Sequence, residues 1–107
     1  MATMATSWFS VHLQARAPEG AAHIIVDDDA AGRLMDLLVE YDGIVSAGAG
    51  QWAVTLGLEE PDPVRAAAVA AALVASLAEK AELPNWPMVR VEAVREDVLE
   101  EESTRSE

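Results

Sequence analysis

The sequence predicts an α+β domain: a four-stranded antiparallel sheet carrying two helices on one face. Three observations lead there. Phe9-Ser10-Val11-His12-Leu13-Gln14-Ala15 and Trp52-Ala53-Val54-Thr55-Leu56-Gly57-Leu58 share one order of aromatic, small, Val, polar, Leu, other and apolar residues. Each run precedes a helical pattern. Each helical pattern precedes another short apolar run. The chain thus reads as strand–helix–strand written twice, and right-handed crossovers make a single sheet with both helices on one side the compact solution.

The elements follow in order. Residues 1–7 read as a disordered lead. Trp8–Arg16 alternates, with Phe9, Val11, Leu13 and Ala15 on one face and Ser10, His12, Gln14 and Arg16 on the other, the signature of a half-buried strand. Pro18-Glu19-Gly20 signals a turn. His23–Val26 reads as an apolar lead-in to a helix, with an extra short strand as the alternative. Asp27-Asp28-Asp29 supplies N-cap candidates. Leu34, Leu37, Leu38 and Tyr41 then fall on one helical face, and Gly43 is the expected left-handed cap. Ile44–Ala47 is the second strand, Gly48-Ala49-Gly50 the hairpin turn, and Gln51–Glu59 the third strand. Asp62-Pro63 starts the second helix. That helix is expected to reach Ala81 and to pack through Val69, Leu73 and Leu77. Leu83-Pro84-Asn85-Trp86-Pro87 breaks it, and Met88–Val94 is the last strand. The expected domain therefore spans 8–94, followed by an acidic tail, 95–107, in which Val98 and Leu99 could dock a final helical turn.

At 107 residues with about half of them apolar, the chain is long enough for one modest core. Much of the apolar content is Ala, which predicts a thin core and makes burial against a second copy plausible. The formal net charge is −12. Such a surface repels phosphate, so nucleic-acid binding and docking on anionic membranes are not expected. Solubility alone would also explain the charge. No Cys is present, which removes disulfides, thiolate metal sites and Cys nucleophiles. Residues 1–7 lack the basic and apolar regions of a signal peptide. The longest apolar stretch, 66–75, is too short to span a bilayer. A cytoplasmic protein is the expectation.

In the ferredoxin-like arrangement that this βαββαβ order implies, the two matching runs lie side by side at the centre of the sheet. Their in-phase residues then form one core face. Their out-of-phase residues, Ser10, His12, Gln14, Arg16, Ala53, Thr55, Gly57 and Glu59, form an open face with few charges. That face reads either as a docking surface, first of all for a second copy, or as an ordinary solvated sheet face. Trp8 is out of phase with Phe9 and should point outward there; burial by a partner or a frayed strand start would each account for it. Trp86, between two prolines, reads as a plug for the open end of the core beneath the second helix, with a binding anchor as the alternative.

No catalytic, cofactor or metal set emerges. His12 and His23 fit no metal spacing, and a lone strand His is usually a surface residue. The Asp triplet lacks the spacing and Gly of a calcium loop. The Gly48–Gly50 pair precedes a strand rather than a helix and lacks the Lys and Ser/Thr of a phosphate-binding loop. The serines sit in no nucleophile-elbow context.

The segment Leu83-Pro84-Asn85-Trp86-Pro87-Met88-Val89-Arg90-Val91-Glu92-Ala93-Val94 with its acidic tail, and more loosely the glycine hairpin before Trp52, resembles small uncharacterised actinobacterial proteins. That resemblance implies the fold and no activity. Pro18-Glu19-Gly20 is similar to the glycine turn of ACT amino-acid-binding domains, which would imply a small-ligand sensor. Here thirteen residues separate Gly20 from Leu34, whereas the ACT helix follows almost at once. Cofactor-free monooxygenases of the dimeric α+β barrel type share the topology but need a polar cluster on core-facing positions. RNA-recognition motifs need exposed aromatics on the central strands and a basic surface. The leading expectation is a non-enzymatic module that self-associates or binds a protein partner through its open sheet face. The ligand sensor comes second and the cofactor-free enzyme third.

Overall fold

A computed structural model describes residues 6–96 of the chain. The elements are β1 (Ser7–Arg16), α1 (Asp28–Leu37), a 3-10 turn (Val39–Tyr41), β2 (Ile44–Gly48), β3 (Gln51–Glu60), α2 (Pro63–Lys80) and β4 (Met88–Arg95). The sheet is four-stranded and antiparallel in the order β2-β3-β1-β4. Residues 1–5 and 97–107 lie outside the described residues, and with them most of the expected lead and the turn expected at Val98 and Leu99. Ser7, assigned to the lead, begins β1, and β4 runs one residue further than expected, to Arg95.

The β1–β3 pairing runs without a break from Ser7 opposite Glu60 to Arg16 opposite Gln51. Because side chains alternate along a strand, this register places Phe9, Val11, Leu13 and Ala15 beside Leu58, Leu56, Val54 and Trp52 on one face. All eight are buried, none more than 7% exposed. Both helices bury residues in the same cluster: Ala30 and Leu34 from α1, and Ala66, Ala70, Val74 and Ala78 from α2. Every buried side chain among the described residues is apolar.

The helical faces match expectation in part: Leu34 and Leu38 are buried and Tyr41 packs against the core, but Leu37 does not, and α2 is turned. In α1 the buried line is Ala30, Leu34 and Leu38, while Leu37 is exposed. In α2 the buried line is Ala66, Ala70, Val74 and Ala78, and Val69, Leu73 and Leu77 flank it half-buried. In α2 size explains the shift. A helix lying close to a sheet puts its smallest residues at the contact line, and the larger side chains cover the margins.

Both helices start on an Asp. Asp27 Oδ1 accepts from the Asp29 amide at 3.4 Å, and Asp62 Oδ1 accepts from the Arg65 amide at 2.8 Å, with Pro63 opening α2. Both helical segments also end alike. At the first, the Gly43 amide donates to Leu38 O and the Asp42 amide to Val39 O; at the second, the Leu83 amide donates to Ala78 O and the Glu82 amide to Glu79 O. This is the paired bonding of a Schellman motif, and the left-handed position is held by Asp42 and Glu82, not by glycine. Gly43, expected at that position, follows it. Its role is steric: a Cβ there would collide with Leu38 Cβ.

The segment before α1 makes one isolated bridge, Ile25 to Ala49, and buries Val26; it forms no full strand. The β2–β3 turn is tighter than expected, because Gly48 pairs with Gln51 and only Ala49 and Gly50 remain in it. Gly50 is the demanding position. Its φ is 68°, a Cβ would sit 2.6 Å from Ala22 O, and its backbone bonds to both Ile24 and Ala17. Gly50→Ala should therefore lower unfolding free energy by at least about 2 kcal/mol. Gly48→Ala, with open space at its Cβ, should stay within about 0.5 kcal/mol of the parent. Urea melts of the two variants check the contrast.

Candidate interaction surface

The β1–β3 register that buries one set of residues presents the other set together. Trp8, Ser10, His12, Gln14 and Arg16 stand opposite Glu59, Gly57, Thr55, Ala53 and Gln51. The outer strands extend the face with Ile44 and Ser46 from β2 and with Arg90, Glu92 and Val94 from β4. Neither described helix lies over it. The middle residues are half-buried, whereas Trp8 is 55% and Ile44 65% exposed. Trp8 thus points outward from a regular strand, in a rung with Glu59; its strand start is not frayed.

The polar groups of this face are largely paired with one another. A hydrogen bond of 3.1 Å joins His12 Nδ1 and Thr55 Oγ1 across the central strands. Gln14 Nε2 donates to Gln51 Oε1 at 2.9 Å. On β4, Arg90 Nε and Nη2 both donate to Glu92 Oε2, at 3.2 and 2.5 Å. A shallow depression of about 300 Å³ lies over His12, Gln14, Ser46, Gln51 and Ala53. The charged groups on the face are Arg16, Arg90, Glu59 and Glu92, with Glu96 Oε1 reaching to within 3.6 Å of where a Gly57 Cβ would stand. Two bases against three acids leave −1 here, whereas residues 6–96, with 14 acids and 6 bases, carry −8.

A structural irregularity marks the β4 edge. Between the pairs Ala15–Met88 and Gln14–Arg90 the outer strand has one extra residue, Val89, which is 54% exposed. Such a bulge twists an edge strand and blunts it as a template for further pairing. The sequence carries no signal for it, since Met88–Val94 reads as a plain strand.

Trp86 lies elsewhere. It is half-buried against the core, as a plug would be, and it also lines a cleft on the helix side with Trp52, Met88 and the end of α2. The candidate residues therefore divide into two places. Trp8, Ser10, His12, Gln14, Arg16, Ala53, Thr55 and Gly57 share the open sheet face, and Trp86 does not join them. No group of three or more His, Asp or Glu side chains poised for a metal occurs among the described residues. No described helix is long and apolar enough to cross a membrane.

No protein-family model, curated protein or solved structure matches this chain. The central hydrogen bond is half-exposed, so it should contribute little to folding. Thr55→Val, which keeps the shape and strand preference, is expected to change unfolding free energy by less than about 1 kcal/mol in a urea melt.

Proposed function

We propose that this chain is a non-enzymatic association module that pairs with a second copy of itself through the open sheet face. One observation carries the reading: on an acidic molecule this broad face is nearly neutral among the described residues, and its central polar groups are paired with one another. Two copies approaching elsewhere would bring acidic surfaces together. Two copies meeting here would face His12, Thr55, Ala53 and Gly57 against themselves with little repulsion, with Glu96 beside Gly57, unpaired among the described residues, as a charge to accommodate.

Size supports it as well. Four strands of this length offer a footprint of roughly 600 Å², near the ~800 Å² per partner that stable interfaces bury. Trp8 and Ile44 supply exposed apolar bulk at its margins. A twofold axis near His12 and Thr55 would bury the same patch on both copies. The strand order, with β1 and β3 central, supports assigning the domain to the ferredoxin-like class, a topology that serves many unrelated functions and so selects none by itself.

Sedimentation velocity at tens of micromolar should give a dimer. Thr55→Arg and His12→Glu each place like charges across the axis and should weaken association at least tenfold. Val64→Ser, at an exposed position on α2, should leave it unchanged. A monomer up to about 1 mM, or association indifferent to Thr55→Arg, overturns the reading.

A further inference from the structure

The cleft beside Trp86 is a second site, independent of the sheet face. It lies at the end of the sheet where β1 finishes and β3 and β4 begin. Its volume is about 560 Å³, within the range of small-molecule pockets. Trp52, Leu83, Trp86 and Met88 supply apolar wall, and Ala75 and Ala78 of α2 leave the space open because their side chains are short.

The walls are held in place. Trp52 Nε1 donates to Pro84 O at 3.3 Å, which satisfies the indole and ties the loop to β3. The Leu83 amide is bonded to Ala78 O, the Trp86 amide to Pro84 O, and Pro87 O accepts from the Arg16 amide. Leu83 is buried, and prolines fix the backbone on both sides of Asn85-Trp86. A cleft so braced needs little reorganisation to accept a guest.

The polar content decides what guest. Among the lining residues Glu79 is the sole charged one. Its carboxylate makes no hydrogen bond or ion pair with the other described residues. An indole wall with an unpaired carboxylate is the combination that favours an organic cation, through the ring face and the charge together. The net charge of −12 draws cations and repels anions at longer range.

We infer that this cleft binds a small organic ammonium compound, its apolar body between Trp86 and Met88 and its charge toward Glu79. The site faces away from the proposed dimer surface, so neither inference depends on the other.

The test follows the indole N–H resonances of the three tryptophans during titration with benzylamine, benzyl alcohol and benzoate. Benzylamine should shift the Trp86 signal saturably with a Kd of about 1 mM, leaving Trp8 unmoved. Benzyl alcohol should bind at least fivefold more weakly, and benzoate not at all. Glu79→Gln should erase the preference for the amine. Ala75→Leu, at an exposed helix position, should fill the cleft and weaken binding at least fivefold; Ser76→Leu serves if that variant folds poorly. Equal response to amine and alcohol in the parent chain overturns the ammonium assignment. Absence of a saturable Trp86 shift, or a shift indifferent to filling the cleft, overturns the site.

Discussion

The pairing of β1 with β3 decides the make-up of both sheet faces. Ten consecutive rungs, Ser7–Glu60 to Arg16–Gln51, fix which side chains share a face. A slip of one residue would turn Phe9, Val11, Leu13 and Ala15 toward solvent and drive His12 and Gln14 under the helices. The cost of burying those polar groups without partners makes the register unique. Once it is set, the helices have one apolar face to cover and the opposite face inherits the remaining residues as a group.

That constraint also explains what could be read in the chain beforehand. The core face and the membership of the open face follow from strict alternation, so Phe9 through Ala15 and Trp52 through Leu58 were legible residue by residue. The triplet Asp27-Asp28-Asp29 and Asp62 were legible as helix starts because a capping Asp is a local signal, though which Asp of the triplet caps was not. The helical phases were legible only in part, through Leu34, Leu38 and Tyr41. Leu37 matches the periodic pattern as well as Leu34 does, but only the tertiary contact decides that Ala30, Leu34 and Leu38 form the buried line. The helix ends were legible, near Asp42-Gly43 and Ala81, but the left-handed residue was not: Asp42 and Glu82 hold positions where glycine is the usual marker. The cleft beside Trp86 has no sequence pattern, because it joins a loop, a strand end and the last turns of α2.

Charge distribution and small side chains connect the two candidate sites. Acidic residues crowd the start of α1 and the turn before β2, while the open sheet face stays almost neutral. Alanine serves differently in the two helices. Along α2 it lets the helix lie close to β1, β3 and β4 with a thin apolar layer between, and at its last turns it leaves a hollow where a larger residue would have sealed the core. Arg33 ties α1 to that same end, donating from Nε to Ala81 O at 3.1 Å and pairing with Glu82 at 3.4 Å. A cation at a helix C-terminus is favourable in itself, and here it also steadies the wall of the cleft.

In the proposed dimer a second copy covers the face opposite the helices. Isotope-filtered NMR on a mixture of labelled and unlabelled chains addresses this most directly, since it detects only contacts between copies. Intermolecular NOEs are expected from the Ala53 and Thr55 methyl groups and from the Trp8 ring to residues of the same sheet face. Intermolecular NOEs confined to the helices or to the β4 edge, or none at a concentration of several hundred micromolar, would contradict the proposed dimer.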